Sequence, residues 1–284
     1  MKPAVYVNFA PAESLHQDTG LFRFRQSIGL GNLMCSWGDA VLYATYRGLP
    51  LIWPTWPQIS REAVRSGRIY ARLFENDGTY IGGLARHRLI RQARQSDAHG
   101  VAVVGPKLPY DVDWEHGRTV AESQAILKRA LHAILAPNVR RRADAVTPRE
   151  PFVAVHVRRG DFNNPVHHFT DGGGQRINQP IPIEWYVEAV EQARHVTGHR
   201  RVVCISDGTD DDLAFLSRLG GVAVQRESAL VDLVSMSRAS AFVASGSTFS
   251  QWISYLGQMP TWTNATFAWS HNLHVDPASR VVLS

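Results

Sequence analysis

The chain has 284 residues, 44% hydrophobic and 19% charged, which is enough apolar material for two modest units or one large one. Nothing approaches the roughly 18 consecutive apolar residues of a membrane-spanning helix, and two cysteines, Cys35 and Cys204, exclude a disulfide framework and show no metal-ligand spacing. The net charge of +5 suits an anionic ligand, an anionic membrane surface or nucleic acid without choosing among them; of 30 basic residues only Lys2, Lys107 and Lys128 are lysines.

The chain enters an apolar run at residues 5–9, read as a strand, with no secretory leader ahead of it, so a cytoplasmic protein is expected. A polar stretch through Gln17, Asp18 and Gly20 follows. Ile28-Gly29-Leu30-Gly31-Asn32-Leu33 then leads into a helix on which Leu33, Trp37, Val41 and Ala44 recur at helical spacing, and Gly48 is placed to stop it. Residues 49–53 read as a short strand, which makes the opening a βαβ unit with a glycine-rich turn at its helix start. Residues 57–120 are less patterned, with 101–104 the clearest strand. Residues 121–135 have a helical period, with Ile126, Ala130 and Ile134 along one side. Arg140-Arg141-Arg142 reads as a solvated helix end or a linker. Pro137, Pro148 and Pro151 interrupt the chain, and the boundary is placed near 148, giving units 1–148 and 149–284.

The second half alternates more clearly. Residues 152–157 form a strand with little apolar–polar alternation, as expected when both faces are covered. A glycine-rich loop containing Asp171-Gly172-Gly173-Gly174 separates it from a helix running from Pro182 to about His195. Strands at 202–206, 222–224 and 241–244 then alternate with helices at 210–219, 230–236 and 247–256, the last capped by Gly257. Cys204 is read as a buried strand residue. The fold class expected is α/β with parallel sheets.

Three strand ends carry polar residues. At His156-Val157-Arg158-Arg159-Gly160-Asp161 an apolar strand runs into two arginines, a glycine and a carboxylate. That places a cationic edge at the carboxyl end of a strand, where open α/β folds bind ligands, and the planar guanidinium suits phosphate. Alternation points His156 and Arg158 to one side, with Arg159 turning at the strand end. Gly160 permits a bend or a close approach, and Asp161 either orients an arginine or takes a substrate proton. The structural alternative is an Arg–Asp corner that fastens a loop. At Ser206-Asp207-Gly208-Thr209-Asp210-Asp211-Asp212 most carboxylates read as caps of the next helix, while Asp207 is a candidate acceptor for a nucleobase or hydroxyl. Adjacent carboxylates at a helix start do not converge on a divalent metal. At Ser245-Gly246-Ser247-Thr248-Phe249-Ser250 hydroxyls and a glycine at a helix start make either an anion site or a plain cap. His167 and His168 read as surface residues. Gly29-Leu30-Gly31-Asn32 does not complete a dinucleotide fingerprint, and no phosphate-loop lysine motif, serine elbow or zinc signature appears.

Together these segments resemble the GDP-fucose-dependent fucosyltransferases, especially the α-1,2 family. His156-Val157-Arg158-Arg159-Gly160-Asp161 is similar to that family's His-x-Arg-Arg-Gly-Asp motif, and Gly29-Leu30-Gly31-Asn32-Leu33-Met34 to its Gly-Leu-Gly-Asn-Gln-Met, with Leu33 in place of glutamine. The segments 185–190, 205–207, 232–237 and 245–252 resemble further family segments in the same order. The resemblance implies a GT-B-like α/β fold with two Rossmann-like lobes and a nucleotide-sugar cleft between them. It implies inverting transfer of L-fucose from GDP-fucose to a glycan or glycolipid hydroxyl, α-1,2 in type, without a cofactor or metal.

By position, Arg158 would hold the pyrophosphate and stabilise the leaving GDP, and Asp161 is the candidate base. Gly31, Asn32, His156, Arg159, Asp207, Ser247, Thr248 and Phe249 would line the substrate side, Asp207 towards guanine or ribose and His156 in support. Nucleic acid is not an expected partner, and contact with the inner face of a membrane stays open. The alternatives are a GDP-sugar-binding protein without transfer activity and a transferase using another GDP-sugar. The glycine loop with His167 and His168 departs from the family pattern, as does the tail with Trp262, Asn264 and Trp269.

Overall fold

The computed structural model describes residues 4–7, 9, 29–56, 70–95, 101–104, 119–170, 174, 176–266 and 280–283. The chain divides into two compact units, Met1–Val139 and Arg140–Ser284. Gln17, Asp18 and Gly20, Asp171-Gly172-Gly173 and Trp269, singled out in the sequence, lie outside the described residues.

The first unit is built on a parallel sheet of β1 (Ala4–Val7), flanked by β2 (Leu51–Ile52) and β3 (Val101–Val104). Helix α1 (Leu30–Arg47) connects β1 to β2 and is buried along most of its length, including Leu33, Trp37, Val41 and Ala44. Gly48 ends it with a left-handed φ of 61°. Helix α2 (Gly83–Gln95) contributes Leu89 and Ile90 to a core with Ala4, Tyr6 and Ile52. Helix α3 (Val120–Ile134) starts on a capping box between Thr119 and Glu122. Its buried face is Ser123, Gln124, Leu127, Leu131 and Ile134, not the Ile126–Ala130 side expected from sequence. The 124, 127, 131, 134 spacing is the better helical stripe, and Gln124 hides it because it is polar.

Helix α4 (Pro137–Val146) is not expected from sequence, where Pro137 reads as an interruption. Proline at the first helical position costs nothing, since that N–H has no partner within the helix and φ is already set. The division between the units therefore falls inside α4, earlier than the expected 148. Arg142 and Asp144 tie the helix to Glu227 (2.5 Å) and Arg238 (2.7 Å) of the second unit, which explains where it belongs.

The second unit opens with β4 (Val153–Val157), followed by short 3-10 turns at Gly160–Asn163 and Pro165–His167 and an antiparallel hairpin of β5 (Phe169–Thr170) and β6 (Arg176–Ile177). Then come α5 (Ile183–Thr197), β7 (Val202–Ser206), a 3-10 run (Asp211–Leu219) and β8 (Val222–Gln225). The unit continues with α6 (Ala229–Met236), β9 (Ala241–Val243), α7 (Thr248–Gly257), β10 (Thr261–Asn264) and β11 (Arg280–Leu283). The six strands of its main sheet order as β11-β10-β9-β4-β7-β8, every neighbour parallel. Numbered along the chain this is the 3-2-1-4-5-6 order of a doubly wound nucleotide-binding sheet.

Three local features correct the reading from sequence. The segment after β7 is 3-10 rather than α-helical. Its buried residues Leu213, Leu216 and Leu219 recur every three positions, which is the 3-10 period and stabilises an unusually long run of that geometry. At the end of α7 the left-handed cap is Gln258 (φ 53°), not Gly257. Glycine is needed at 257 for space: a Cβ there would lie 2.7 Å from the Ser237 carbonyl oxygen. Finally, β10 and β11 are absent from the sequence reading, because β10 is Thr-Trp-Thr-Asn and reads as polar although all four residues are buried. Trp262 and Asn264, which in the sequence are only departures from a pattern, are β10 residues. Cys35 and Cys204 are buried and free, and burial pushes the Cys204 thiol up to about 12. No helix among the described residues is long and apolar enough to cross a membrane.

Candidate active site

The strand order places the switch point of the second unit between β4 and β9, where the chain has finished one side of the sheet and starts the other. Ligands of open α/β sheets bind beyond the carboxyl ends of the strands at such a point. Two of the three polar strand ends meet there. Alternation sorts the β4 side chains: Val153, Val155 and Val157 enter the core beneath α5 with Trp185, Tyr186 and Ala189. His156 and Arg158 therefore take the opposite face, and Arg159 returns to the α5 side. There it is 7% exposed, and its positive charge acts on the Tyr186 hydroxyl. Its Nη2 is buried without a hydrogen-bond partner among the described residues.

His156 joins the first strand end to the third. It is 3% exposed, and its Nδ1 lies 2.7 Å from Ser250 Oγ and 3.1 Å from Ser245 Oγ. Ser245 Oγ is in turn 2.9 Å from both Ser247 Oγ and Ser250 Oγ, and the Ser245 N–H donates to Ser250 Oγ. Ser247 caps α7 by accepting from the Ser250 N–H at 3.2 Å. The Phe249 ring meets the imidazole edge-on at 5.2 Å between centroids. Burial, with the Arg158 charge adding to it, pushes His156 down to about 3, so the ring is neutral and fastens the serine turn instead of exchanging protons. Thr248 and Phe249 occupy the first turn of α7, half-buried, at the end of the helix whose dipole favours an anion.

Arg158 sits between two carboxylates. Its Nη2 is 2.6 Å from Asp161 Oδ1, and its Nη1 is 2.6 Å from Asp207 Oδ2. The guanidinium lies over the Phe162 ring at 5.3 Å. The side chain of Arg158 is 20% exposed, that of Asp207 30% and that of Asp161 40%. The other Asp207 oxygen accepts the Arg159 N–H at 2.8 Å, so both of its oxygens face the protein. Asp210 pairs with Arg226 at 2.6 Å, and Asp212 accepts from Thr209 and Asn163, which gives those acids structural work. Among the described residues no group of three or more His, Cys, Asp or Glu is placed to hold a metal ion.

Gly31 and Asn32 lie in the first turn of α1, in the first unit, where the βαβ crossover puts a helix start at the carboxyl end of β1. His168 Nε2 is 2.6 Å from the Phe162 carbonyl oxygen and so closes the loop after β4; the His167 side chain lies outside the described part. One residue heads a segment named in the sequence, 232–237, but is given no role there. Asp232, in the first turn of α6, accepts from Gln225 Nε2 at 2.7 Å, and burial pushes its carboxyl up to about 7. A glutamine seven positions ahead, at the end of the preceding strand, is the available signal.

The chain matches the model of glycosyl transferase family 11 over residues 120–277, which span α3, α4 and the three polar strand ends. No curated protein sequence matches it. Among solved structures it is similar to the NodZ α-1,6-fucosyltransferase soaked with GDP-fucose: identity is 16%, the TM-score 0.51, and the match covers 84% of this chain and 92% of that one. The fucosyltransferase NodZ from Bradyrhizobium matches at 15% identity and TM-score 0.49, over 84% of this chain and 93% of the other. POFUT1 in complex with GDP matches at 14% identity and TM-score 0.49, over 85% and 96% of the two chains. The likeness to the first of these shows the fold: two α/β units on parallel sheets, GT-B-like.

Proposed function

The chain belongs to glycosyl transferase family 11 and is therefore a glycosyltransferase, and from that premise we propose that it transfers L-fucose from GDP-fucose to a glycan hydroxyl, with inversion and in α-1,2 linkage. The observation that carries the reading is the meeting of Arg158 and the Ser245–Ser250 turn at one switch point, joined through His156. A pyrophosphate there would find a guanidinium fork on one side and, on the other, the Ser247 hydroxyl, Thr248 and the N–H groups of a helix start. Charge on the departing GDP would be stabilised by Arg158, the kind of contribution that is often the largest in catalysis.

Inversion in a single displacement needs a base beside the acceptor hydroxyl, and Asp161 is our assignment. Its carboxylate is held by Arg158 Nη2 in the donor-free state. A phosphate oxygen competes for that same nitrogen, so donor binding frees Asp161 to accept a proton. His156 and Arg159 support the site from the two faces of β4. Gly31 and Asn32, at the glycine-rich start of α1, are assigned to substrate binding. The acceptor is a glycan or glycolipid precursor, the latter met at an anionic membrane face.

Incubation of the protein with GDP-fucose and an acceptor panel tests this, with GDP release as the readout and NMR of the product for anomeric configuration and linked carbon. Arg158→Ala is expected to lower turnover at least about 100-fold, the scale of losing a major charge-stabilising donor. Unchanged turnover in that variant would remove Arg158 from the chemistry. Tight GDP binding with no transfer to any acceptor would leave a binding protein in its place.

A further inference from the structure

Resting on that reading of Arg158, we infer that Asp207 is a positioning residue that sets the direction of the catalytic guanidinium, and that residue 160 is glycine to make room for it. Asp207 stands one position past the end of β7, and the register pairs Ser206 with Val157, so it faces the residues that follow β4. Its two oxygens do different things. Oδ1 accepts the Arg159 N–H at 2.8 Å, which anchors the carboxylate to the backbone of the neighbouring strand end. Oδ2 holds Arg158 Nη1 at 2.6 Å. A guanidinium gripped at one nitrogen by a backbone-anchored carboxylate cannot swing, and its remaining edge is aimed. That remaining edge carries Nη2, now occupied by the more exposed Asp161.

The strand ends are braced as well. Ser206 Oγ donates to the Val157 carbonyl oxygen at 2.6 Å and accepts the Gly208 N–H at 2.9 Å. A Cβ on Gly208 would lie 2.9 Å from Arg159 Cβ, so the two loops are pressed together.

Gly160 supplies an independent line of support. Its φ is not among the positive values that would demand glycine. A Cβ at this position would instead lie 2.3 Å from Asp207 Oδ2 and 2.8 Å from Asp207 Cγ, closer than carbon atoms approach. Because Oδ1 is tied to a backbone N–H, the carboxylate cannot rotate out of the way and keep both bonds. Alanine at 160 therefore acts on Arg158 through Asp207, without touching the guanidinium.

Asp207 also opposes phosphate binding by neutralising Arg158, so its benefit lies in orientation and not in affinity. This distinguishes it from a merely structural residue. In Asp207→Asn, kcat is expected to fall about 10- to 100-fold, the scale of a misplaced reacting group, while the GDP affinity measured by calorimetry stays the same or tightens. Gly160→Ala is expected to reproduce that split between kcat and affinity. In an Asp207→Ala background, where the space is vacant, adding Gly160→Ala should cost nothing further. Multiplying effects of the two substitutions would overturn the inference. So would an Asp207→Asn variant that binds GDP and turns over like wild type. Wild-type protein that binds no GDP would overturn the donor reading and this inference with it; wild type that binds GDP leaves the inference to stand or fall on the variants.

Discussion

Replacing His156 by asparagine should change how stability depends on pH, by an amount that follows from its burial. The ring is held at about 3 in the folded protein against 6.5 for an ordinary histidine, chiefly because it is desolvated and secondarily because Arg158 is two residues away on the same face. Between those values the unfolded chain binds a proton that the folded protein does not, so stability is lost as pH falls. Each unit of that window is worth about 1.4 kcal/mol, and going from about pH 7 to about pH 5 crosses roughly 1.5 units of it, or about 2 kcal/mol. The asparagine side chain does not titrate. Urea unfolding of both proteins across this range isolates the contribution, because every other titrating group cancels in the difference. The stability advantage of wild type over the variant should shrink by about 2 kcal/mol on acidification. A difference that stays flat, or an imidazole NMR titration centred above about pH 5.5, would refute the claim that this histidine is a neutral strut.

Asp232 should act in the opposite sense. Its carboxyl is raised to about 7, so the folded state keeps a proton that the unfolded chain has lost, and stability falls as pH rises from about 4 to about 7. Asp232→Asn should flatten that fall; a wild-type-minus-variant difference that does not decline over the range would contradict it. Gly257→Ala should destabilise by about 1–3 kcal/mol, because the Ser237 carbonyl oxygen 2.7 Å from the new Cβ cannot move as a side chain could. Adding Met259→Ala, which removes the other close atom, should not restore the melting temperature. Asp161→Asn should lower kcat while leaving GDP affinity within about threefold, since Asp161 is the exposed and replaceable partner of Arg158; an unaltered kcat would exclude it as the base.

The second unit was the more legible half, for a physical reason. Its central strands are buried on both faces and read as unbroken apolar runs, and β4 and β7 each end in a polar cluster that core packing does not require. Runs of that kind survive any pattern search. Elements whose burial depends on hydrogen bonding do not. Thr261 and Thr263 of β10 are buried, and Thr261 bonds Ser254 through its hydroxyl, so an interior strand looks like a surface loop. Pro137 misleads because a proline that starts a helix and one that breaks it are the same letter.

The site was legible as residue types and not as roles. Arg158, His156, Ser247 and Asp161 can be named from motif and alternation. That Asp207 turns inward, and that Gly160 is small on its account, depends on two loops 48 positions apart and has no signature in either one alone.

The central place of β4 also has a consequence for the order in which the protein becomes competent. The strand that carries the arginines is the first of its sheet to be made, yet it is flanked by β7 and β9, and its His156 bonds serines 89 to 94 residues downstream. During synthesis the arginine end therefore emerges without a floor, and a nucleotide sugar cannot stabilise the nascent chain until α7 has been made. A truncation just before α7 would keep every charge of the proposed phosphate site and still lack Ser250, which holds His156. Ligand protection against proteolysis in a series of such truncations would time the joining of the β4 end to the serine turn at the start of α7.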